Sequence, residues 1–207
     1  MREAMIVCLL ATIGSVLSAQ GRVLKGQEPA WPPTTGKADF TLTVAPRFQA
    51  HTLPELIQKS SIIIDATVRE ILPARVLAHR LETDAVLSIN AVIKGPPSLG
   101  IKGPVGDVVV SQPGGILGGY VEEPRQYSMM HVGEHYLLFG REETRTSLPS
   151  VYGLPRYSIT GQWVGGVSVD GNGVVRFTRA SSQELHQRYD GMRLGSMVSE
   201  LTALVRQ

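Results

Sequence analysis

The sequence predicts a mainly β domain with one hairpin near its C-terminal end and an amphipathic helix after it. Three observations carry this prediction. Short runs rich in β-branched residues recur along the chain and end at glycine or proline, which is typical of strands. An Asp-Gly-Asn-Gly turn at 170–173 separates two apolar runs and predicts a hairpin, because these residues accept the positive φ angles of tight turns. Apolar residues then recur at helical spacing: Leu194, Met197, Val198, Leu201, Leu204 and Val205.

Residues 1–19 are typical of a secretory signal peptide. Arg2 supplies positive charge, residues 4–17 are apolar, and Ser18 and Ala19 form a small-residue exit. The apolar run is shorter than the about 20 residues that a membrane span needs. We therefore expect cleavage after Ser18 or Ala19 and an exported protein, periplasmic or secreted, with no membrane span after cleavage. A buried N-terminal helix is the alternative interpretation.

Composition narrows the classes of partner. The single cysteine, Cys8, lies in the predicted signal peptide, so the mature chain would form neither a disulfide nor a cysteine metal site. The formal net charge is only +2, and no run of Lys or Arg occurs, so nothing favours nucleic acid or anionic lipid.

The predicted domain organisation has three parts. After the signal peptide, residues 20–50 are rich in proline and small polar residues, which predicts a linker or an N-terminal arm. Within that segment, the alternation at 40–44 indicates an edge strand. Residues 51–207 are expected to form a single β-rich domain that ends in the C-terminal helix.

The elements of the first half follow from caps and alternation. Thr52 and Glu55 form a capping box, which predicts a short helix that ends near Ser60. The β-branched run at 61–71 predicts a strand. Residues 85–93 predict a half-buried strand, since apolar and polar residues alternate and a Lys-Gly-Pro-Pro sequence stops it. Its apolar face comprises Leu87, Ile89, Ala91 and Ile93.

The second half contains further strands at 107–111 and 136–139, with a glycine-rich loop at 112–119 between them. The apolar runs 162–169 and 173–178 are predicted to pair as the hairpin. Ser181 and Glu184 form a second capping box, and the helical tail is expected to break near Gly191 or Gly195. In total we expect roughly five to seven strands.

The order of these motifs resembles that of a bacterial exported family. In this family a strand that ends in a Lys-Gly turn precedes a PGG loop and a VGE-x-YLLF strand, as in VLSINAVIKGP, VVVSQPGG and VGEHYLLFG here. The same order resembles the five-stranded OB barrel of netrin-like modules, which include tissue inhibitors of metalloproteinases. The resemblance covers residues 53–140 and implies an OB-like barrel. Those inhibitors bind their target's metal through an N-terminal cysteine, which this mature chain lacks, so that mechanism does not transfer.

The sequence HVGEH, residues 131–135, matches the H-x-x-E-H signature of one class of zinc protease. In that signature a helix brings both histidines to one ion, and the glutamate acts on the metal-bound water. Here Gly133 disfavours a helix, and a strand-like run follows. We therefore favour a turn that leads into a strand, with no cofactor. A zinc site formed by His131, Glu134 and His135 is the alternative.

The glycine-rich loop is the other candidate site. Gly114, Gly115, Gly118 and Gly119 do not match the spacing of a phosphate-binding loop. A plain hairpin loop is one interpretation, and a partner-binding surface that includes Arg125 and Tyr127 is the other.

Two function classes follow. The first is an exported, non-catalytic module that binds a protein or a glycan through the loops of its barrel, as OB folds do. The second is a zinc-dependent hydrolase that uses the HVGEH segment.

Overall fold

The computed structural model describes residues 35–40, 50–77, 80–96, 106–144, 151–161 and 163–206. Within them lie eleven strands and three helices. The strands are β1 (Thr35–Phe40), β2 (Ile62–Ile71), β3 (Arg75–Leu77), β4 (Arg80–Lys94), β5 (Asp107–Pro113), β6 (Gly115–Leu117), β7 (Gly119–Pro124), β8 (His135–Glu142), β9 (Arg156–Ile159), β10 (Gly166–Val169) and β11 (Val175–Arg176). The helices are α1 (Leu53–Lys59), α2 (Gln183–Tyr189) and α3 (Leu194–Val205). None of these helices has the length and apolarity to cross a bilayer.

Five strands close into a barrel in the order β2-β4-β5-β9-β8. Strand β2 pairs antiparallel with both β4 and β8, and β4 pairs antiparallel with β5. Strand β9 lies parallel to β5 and antiparallel to β8, which closes the ring. The prediction of a mainly β, OB-like five-stranded barrel is confirmed.

The apolar core is divided between the two faces of the barrel wall. Ile62 and Ile64 of β2 face a cluster inside the barrel, whereas Ile63 faces a second cluster that includes side chains of all three helices. Strand β8 alternates in the same way, with Leu138 inside and Leu137 outside. A strand segment that is buried on both faces has a continuous apolar sequence rather than an alternating one, as residues 62–64 of β2 and 136–139 of β8 have.

The predicted hairpin and C-terminal helix are both present. Strands β10 and β11 pair antiparallel across 170–173, and β10 joins the barrel sheet through β8. Helix α3 buries Met197 and Leu201. The chain breaks before α3 near Gly191, whose φ is +86°, whereas Gly195 lies inside the helix.

Two predicted caps have different outcomes. The Thr52 hydroxyl accepts from the N–H of Glu55 at 3.3 Å, and Ser60 ends α1, as predicted. At α2 the cap is Ser182, which accepts from Leu185 N at 3.2 Å. The predicted box of Ser181 and Glu184 is therefore wrong by one residue.

Strand β4 departs from its prediction at both ends. It begins at Arg80, five residues before the predicted start at 85, because Glu82, Thr83 and Asp84 are polar yet buried and give no apolar alternation. Near its other end the register against β2 shifts between Ile89 and Ala91. The shift is a bulge, which turns Ala91 to solvent and packs Val92 against the barrel interior. The prediction that Ala91 and Ile93 share the face of Leu87 and Ile89 is wrong for this reason, and Ile93 packs against the outer cluster instead.

A second sheet has the order β1-β7-β6. Strands β6 and β7 form a hairpin that begins in the glycine-rich segment 112–119 and extends to Pro124, and β1 lies parallel to β7. Strand β1 belongs to the segment 20–50 that was predicted as a linker or arm. Of the edge strand predicted at 40–44, only Phe40 lies in the described residues, as the last residue of β1. The predicted signal peptide lies outside the described residues.

Candidate functional site

A cleft of about 570 Å³ lies beside the barrel. It is formed by residues 123–129, by segment 176–179 after the added hairpin, and by side chains of β8 and β10. We call it the arginine cleft. Three predicted site residues meet in it: Arg125 and Tyr127 from the partner-binding prediction and His131 from HVGEH. Trp163, which the sequence analysis did not single out, also lines it.

The interior of the arginine cleft contains a stacked aromatic pair. The rings of Tyr127 and Trp163 lie 3.8 Å apart between centroids at an interplanar angle of 12°. Both residues are almost fully buried, at 7% and 3% exposure. The Tyr127 hydroxyl donates to the carbonyl of Pro113 at 3.0 Å, and burial raises the pKa of this phenol. The pair therefore acts as a rigid, uncharged wall.

The backbone of Trp163 is strained. Its φ is +91°, a region that a bulky side chain adopts only in exceptional settings. The hydroxyl of Thr178 donates to the Trp163 carbonyl at 3.2 Å, and the N–H of Gly166 donates to the same oxygen at 3.1 Å. Such a conformation costs about 1–3 kcal/mol, which ring burial and stacking offset. Three separate contacts thus fix the position of one side chain in the cleft.

Three exposed arginines surround the arginine cleft: Arg125, Arg176 and Arg179. Arg176 lies 3.3 Å from Asp170 and 3.7 Å from Asp190. Neither Arg125 nor Arg179 has an ion pair or hydrogen bond with any described residue. The carboxylate Glu123 is paired with Lys37 at 2.6 Å. The cleft therefore has positive charge that the described residues do not neutralise.

The predicted partner-binding glycines have mainly backbone roles in this structure. A side chain at Gly115 would place Cβ 2.1 Å from Thr83 Oγ1, and one at Gly114 would lie 2.7 Å from the Glu122 carbonyl. At Gly118 a Cβ would meet open space, and its φ of +60° at the hairpin tip suits a type II′ turn. Gly119 follows as the first residue of β7. None of the four lines the arginine cleft.

The HVGEH segment is a turn followed by a strand. The N–H of Glu134 donates to the His131 carbonyl at 3.1 Å across Gly133, whose φ is +87°, and β8 begins at His135. The prediction of a turn into a strand is confirmed. The helix on which the zinc alternative depends is not formed in this segment.

The two histidines of that segment have separate partners. His131 lies against Glu134, with 3.3 Å between Nδ1 and Oε1. The Nε2 atom of His135 contacts Asp65 on the neighbouring strand β2. Glu134 also accepts from the Tyr136 hydroxyl at 2.8 Å. In the part of the chain that the structure describes, no three His, Cys, Asp or Glu side chains are grouped to hold a metal ion.

Sequence reasoning missed a buried ion network. Asp84 is fully buried and accepts from Arg75, Arg156 and Ser111. Burial raises the pKa of Asp84, but the hydrogen bonds from Arg75, Arg156 and Ser111 outweigh it, so the pKa lies below its ordinary value. Glu82 accepts from Arg75 at 2.8 Å. The available signal was the sequence RLETD, which precedes the predicted strand 85–93 with no glycine or proline between them.

Comparisons with known proteins do not assign this site. No protein-family model and no curated protein matches the chain. A fold such as the OB barrel hosts many functions, so function must be argued from the site itself. Among the candidate sites, the arginine cleft is the one in which the predicted residues Arg125, Tyr127 and His131 lie together.

Proposed function

We propose that this protein is an exported, non-catalytic binding module whose partner presents acidic groups to the arginine cleft. One observation carries the proposal: Arg125 and Arg179 lie at the same cleft, exposed and without an ion-pair partner among the described residues. Guanidinium groups bind carboxylates through paired hydrogen bonds. Arginine is also less strongly hydrated than lysine, so it loses less on contact with a partner's carboxylate. An acidic partner would complete the charge balance of the cleft.

The aromatic pair favours a protein partner over a glycan. Sugars bind to aromatic residues through exposed ring faces, whereas Tyr127 and Trp163 stack on each other and are nearly fully buried. The remaining recognition groups are the exposed guanidinium groups, and an acidic peptide segment fits them. Most of the residues that line the cleft lie outside the five barrel strands, which agrees with the way OB folds use their loops.

The relationship to netrin-like modules is part of this proposal. The closed five-stranded barrel is compatible with that resemblance. Export rests on residues 1–19, whose charge, apolar run and small-residue exit support a cleaved signal peptide.

Three soluble probes test the proposed partner class. The protein, expressed from its full-length sequence, is titrated with a short polyglutamate peptide, an uncharged Gly-Ser peptide and a sulfated oligosaccharide. We expect the polyglutamate peptide to bind most tightly and its affinity to fall as salt rises, because exposed charges are screened. Tighter binding of the sulfated oligosaccharide would assign the cleft to a glycan. Equal binding of the Gly-Ser peptide would contradict a charge-based site.

Export is tested separately by the mass of the protein recovered outside the cytoplasm of an expressing bacterium. We expect an N-terminus at Ala19 or Gln20, after signal cleavage. An intact N-terminal Met1 in the protein that reaches this fraction would contradict a cleaved signal peptide.

A further inference from the structure

A second pocket, of about 360 Å³, lies beneath the hairpin formed by β6 and β7. We call it the hairpin pocket. Its size falls at the small end of the range for small-molecule sites. Most of its lining is apolar, including Ile71, Leu72, Ile116, Val121, Met129 and Met130. Ile116 is 65% exposed, so an apolar side chain also stands at the mouth of the pocket.

The frame of the hairpin pocket is held in place by close backbone contacts. The Gly114 N–H donates to the Leu81 carbonyl at 2.7 Å, and the Thr83 hydroxyl donates to the Gly114 carbonyl at 2.7 Å. Gly115 has a φ of +142° and leaves no room for a side chain against Thr83 and Ala74. These contacts fix the base of the hairpin on β4, so this part of the pocket lining has a defined position.

One buried hydrogen-bond donor of the pocket has no partner. Gln112 lines the pocket and is fully buried. Its Oε1 accepts from the Met130 N–H at 3.1 Å, but its Nε2 has no hydrogen-bond partner within the described part of the chain. A buried donor without an acceptor is destabilising, and an acceptor on a ligand recovers this loss.

The charges around the pocket select a neutral acceptor over an anion. Glu122 is buried and accepts from Leu81 N at 2.7 Å and from Arg80 at 3.0 Å. Glu123 is paired with Lys37 at 2.6 Å. These two carboxylates line the pocket, whereas no Lys or Arg side chain does. A ligand carboxylate would therefore meet no Lys or Arg in the lining, whereas a neutral carbonyl oxygen needs only a hydrogen-bond donor.

We propose that the hairpin pocket binds a small neutral molecule with an apolar body and a carbonyl oxygen that accepts a hydrogen bond from Gln112. The apolar body contacts Ile71, Ile116 and Val121. Met129 and Met130 add polarisable sulfur, which makes favourable contacts with aromatic rings, so an aryl ketone is a suitable probe. The hairpin pocket shares Glu123, Met129 and His131 with the arginine cleft, but Gln112 lines only the former and the three arginines only the latter, so either proposal can fail without the other.

Matched probes test the proposal on the protein expressed from its full-length sequence. Acetophenone supplies the carbonyl, α-methylstyrene replaces its oxygen by a methylene group, and benzoate replaces the ketone by a carboxylate. Affinities are measured by titration with methyl resonances of Ile116, Met129 and Met130 as the readout. We expect acetophenone to bind about tenfold more tightly than α-methylstyrene, because one recovered hydrogen bond raises affinity by about this factor. We expect benzoate to bind more weakly than acetophenone.

Two variants test whether Gln112 causes the preference for acetophenone and whether the probes bind in the hairpin pocket. Gln112→Met keeps the side-chain length but removes the amide hydrogens, so its affinity for acetophenone should fall to that for α-methylstyrene, with the latter unchanged. Val121→Phe fills the pocket and should abolish binding of both probes. Equal affinity of the wild-type protein for acetophenone and α-methylstyrene would overturn the proposal, as would tighter binding of benzoate or no binding of any probe. Retained preference for acetophenone in Gln112→Met would also overturn it.

Discussion

The arginines of the buried ion network and those of the arginine cleft differ in what surrounds them. Arg75 and Arg156 share the carboxylate of Asp84, which has no exposed surface. Arg125 and Arg179 are exposed and have no acidic partner among the described residues. A buried charge must be paired because its transfer from water is costly, whereas an exposed one keeps its hydration without a partner. The first group therefore serves the fold, and the second is available for a ligand.

The position of the network explains its structural role. Arg75 lies on β3, Asp84 on β4, Ser111 on β5 and Arg156 on β9. The parallel seam between β5 and β9 closes the barrel and has only a few paired residues, from Val109 opposite Arg156 to Ser111 opposite Ser158. The Arg156 guanidinium donates to the Ser111 hydroxyl at 2.6 Å across this seam. The network thus reinforces one of the two shortest strand pairings in the barrel wall.

The largest expected effect on stability comes from removal of Asp84. Asp84→Ala leaves two arginines without their buried carboxylate, so we expect a loss of about 3–5 kcal/mol in the free energy of unfolding. Equilibrium unfolding in urea measures it. Arg125→Ala is the matched control and should leave the unfolding midpoint unchanged. Similar midpoints for Asp84→Ala and the wild-type protein would remove the structural role of the network.

Two alanine substitutions in the glycine-rich segment separate a crowded glycine from a free one. Gly115→Ala puts Cβ 2.1 Å from Thr83 Oγ1 and 2.7 Å from Ala74 Cβ. We expect it to destabilise the protein by about 3 kcal/mol. The Cβ added by Gly118→Ala would meet open space, so this variant loses only the stability that its positive φ costs, about 1 kcal/mol. Urea unfolding of both variants tests the order, and a larger loss for Gly118→Ala would contradict it.

The stability of the protein at low pH also depends on the buried Asp84. The pKa of Asp84 lies below its ordinary value because hydrogen bonds from Arg75, Arg156 and Ser111 outweigh the effect of burial. Its contribution to stability is therefore present above the unfolded-state pKa, about 3.9, and is lost as the pH falls through the folded-state pKa. Unfolding free energy measured against pH should show this acid loss in the wild-type protein and less of it in Asp84→Asn. Identical acid slopes for the two proteins would contradict the assignment.

Much of the barrel could be predicted because its strands carry strong local signals. The β-branched run of β2, the Asp-Gly-Asn-Gly turn and the apolar spacing of α3 each specify their element without help from distant residues. The start of β4 could not be predicted in this way. Its buried Glu82 is satisfied by Arg75 on the paired strand β3, and its buried Asp84 also by Arg156, which lies 72 residues away, so their burial depends on pairing between strands.

The candidate site was predicted only in part for the same reason. Arg125 and Tyr127 were identified through their closeness to the glycine-rich segment, yet that segment does not line the arginine cleft. Of the decisive neighbours, Trp163 lies in a run predicted only as a hairpin strand, and Arg179 lies in no predicted element. The barrel topology brings them to the cleft, and local sequence spacing contains no information about that approach.

The smallest expected effect on stability comes from the arginine cleft itself. We expect the double variant Arg125→Ala/Arg179→Ala to unfold at the same urea concentration as the wild-type protein, because both side chains are exposed and have no described partner. A clear destabilisation would show that these arginines have structural partners, and the comparison with the ion network would fail.

The most direct test of the account is the affinity of that double variant for the polyglutamate peptide. Arg206→Ala serves as the matched control, since Arg206 is also exposed but does not line the cleft. We predict that the double variant loses at least about tenfold in affinity, as expected for two charge-assisted contacts, while Arg206→Ala binds as the wild-type protein does. Equal affinities of all three proteins would contradict the assignment of the arginine cleft as the binding site.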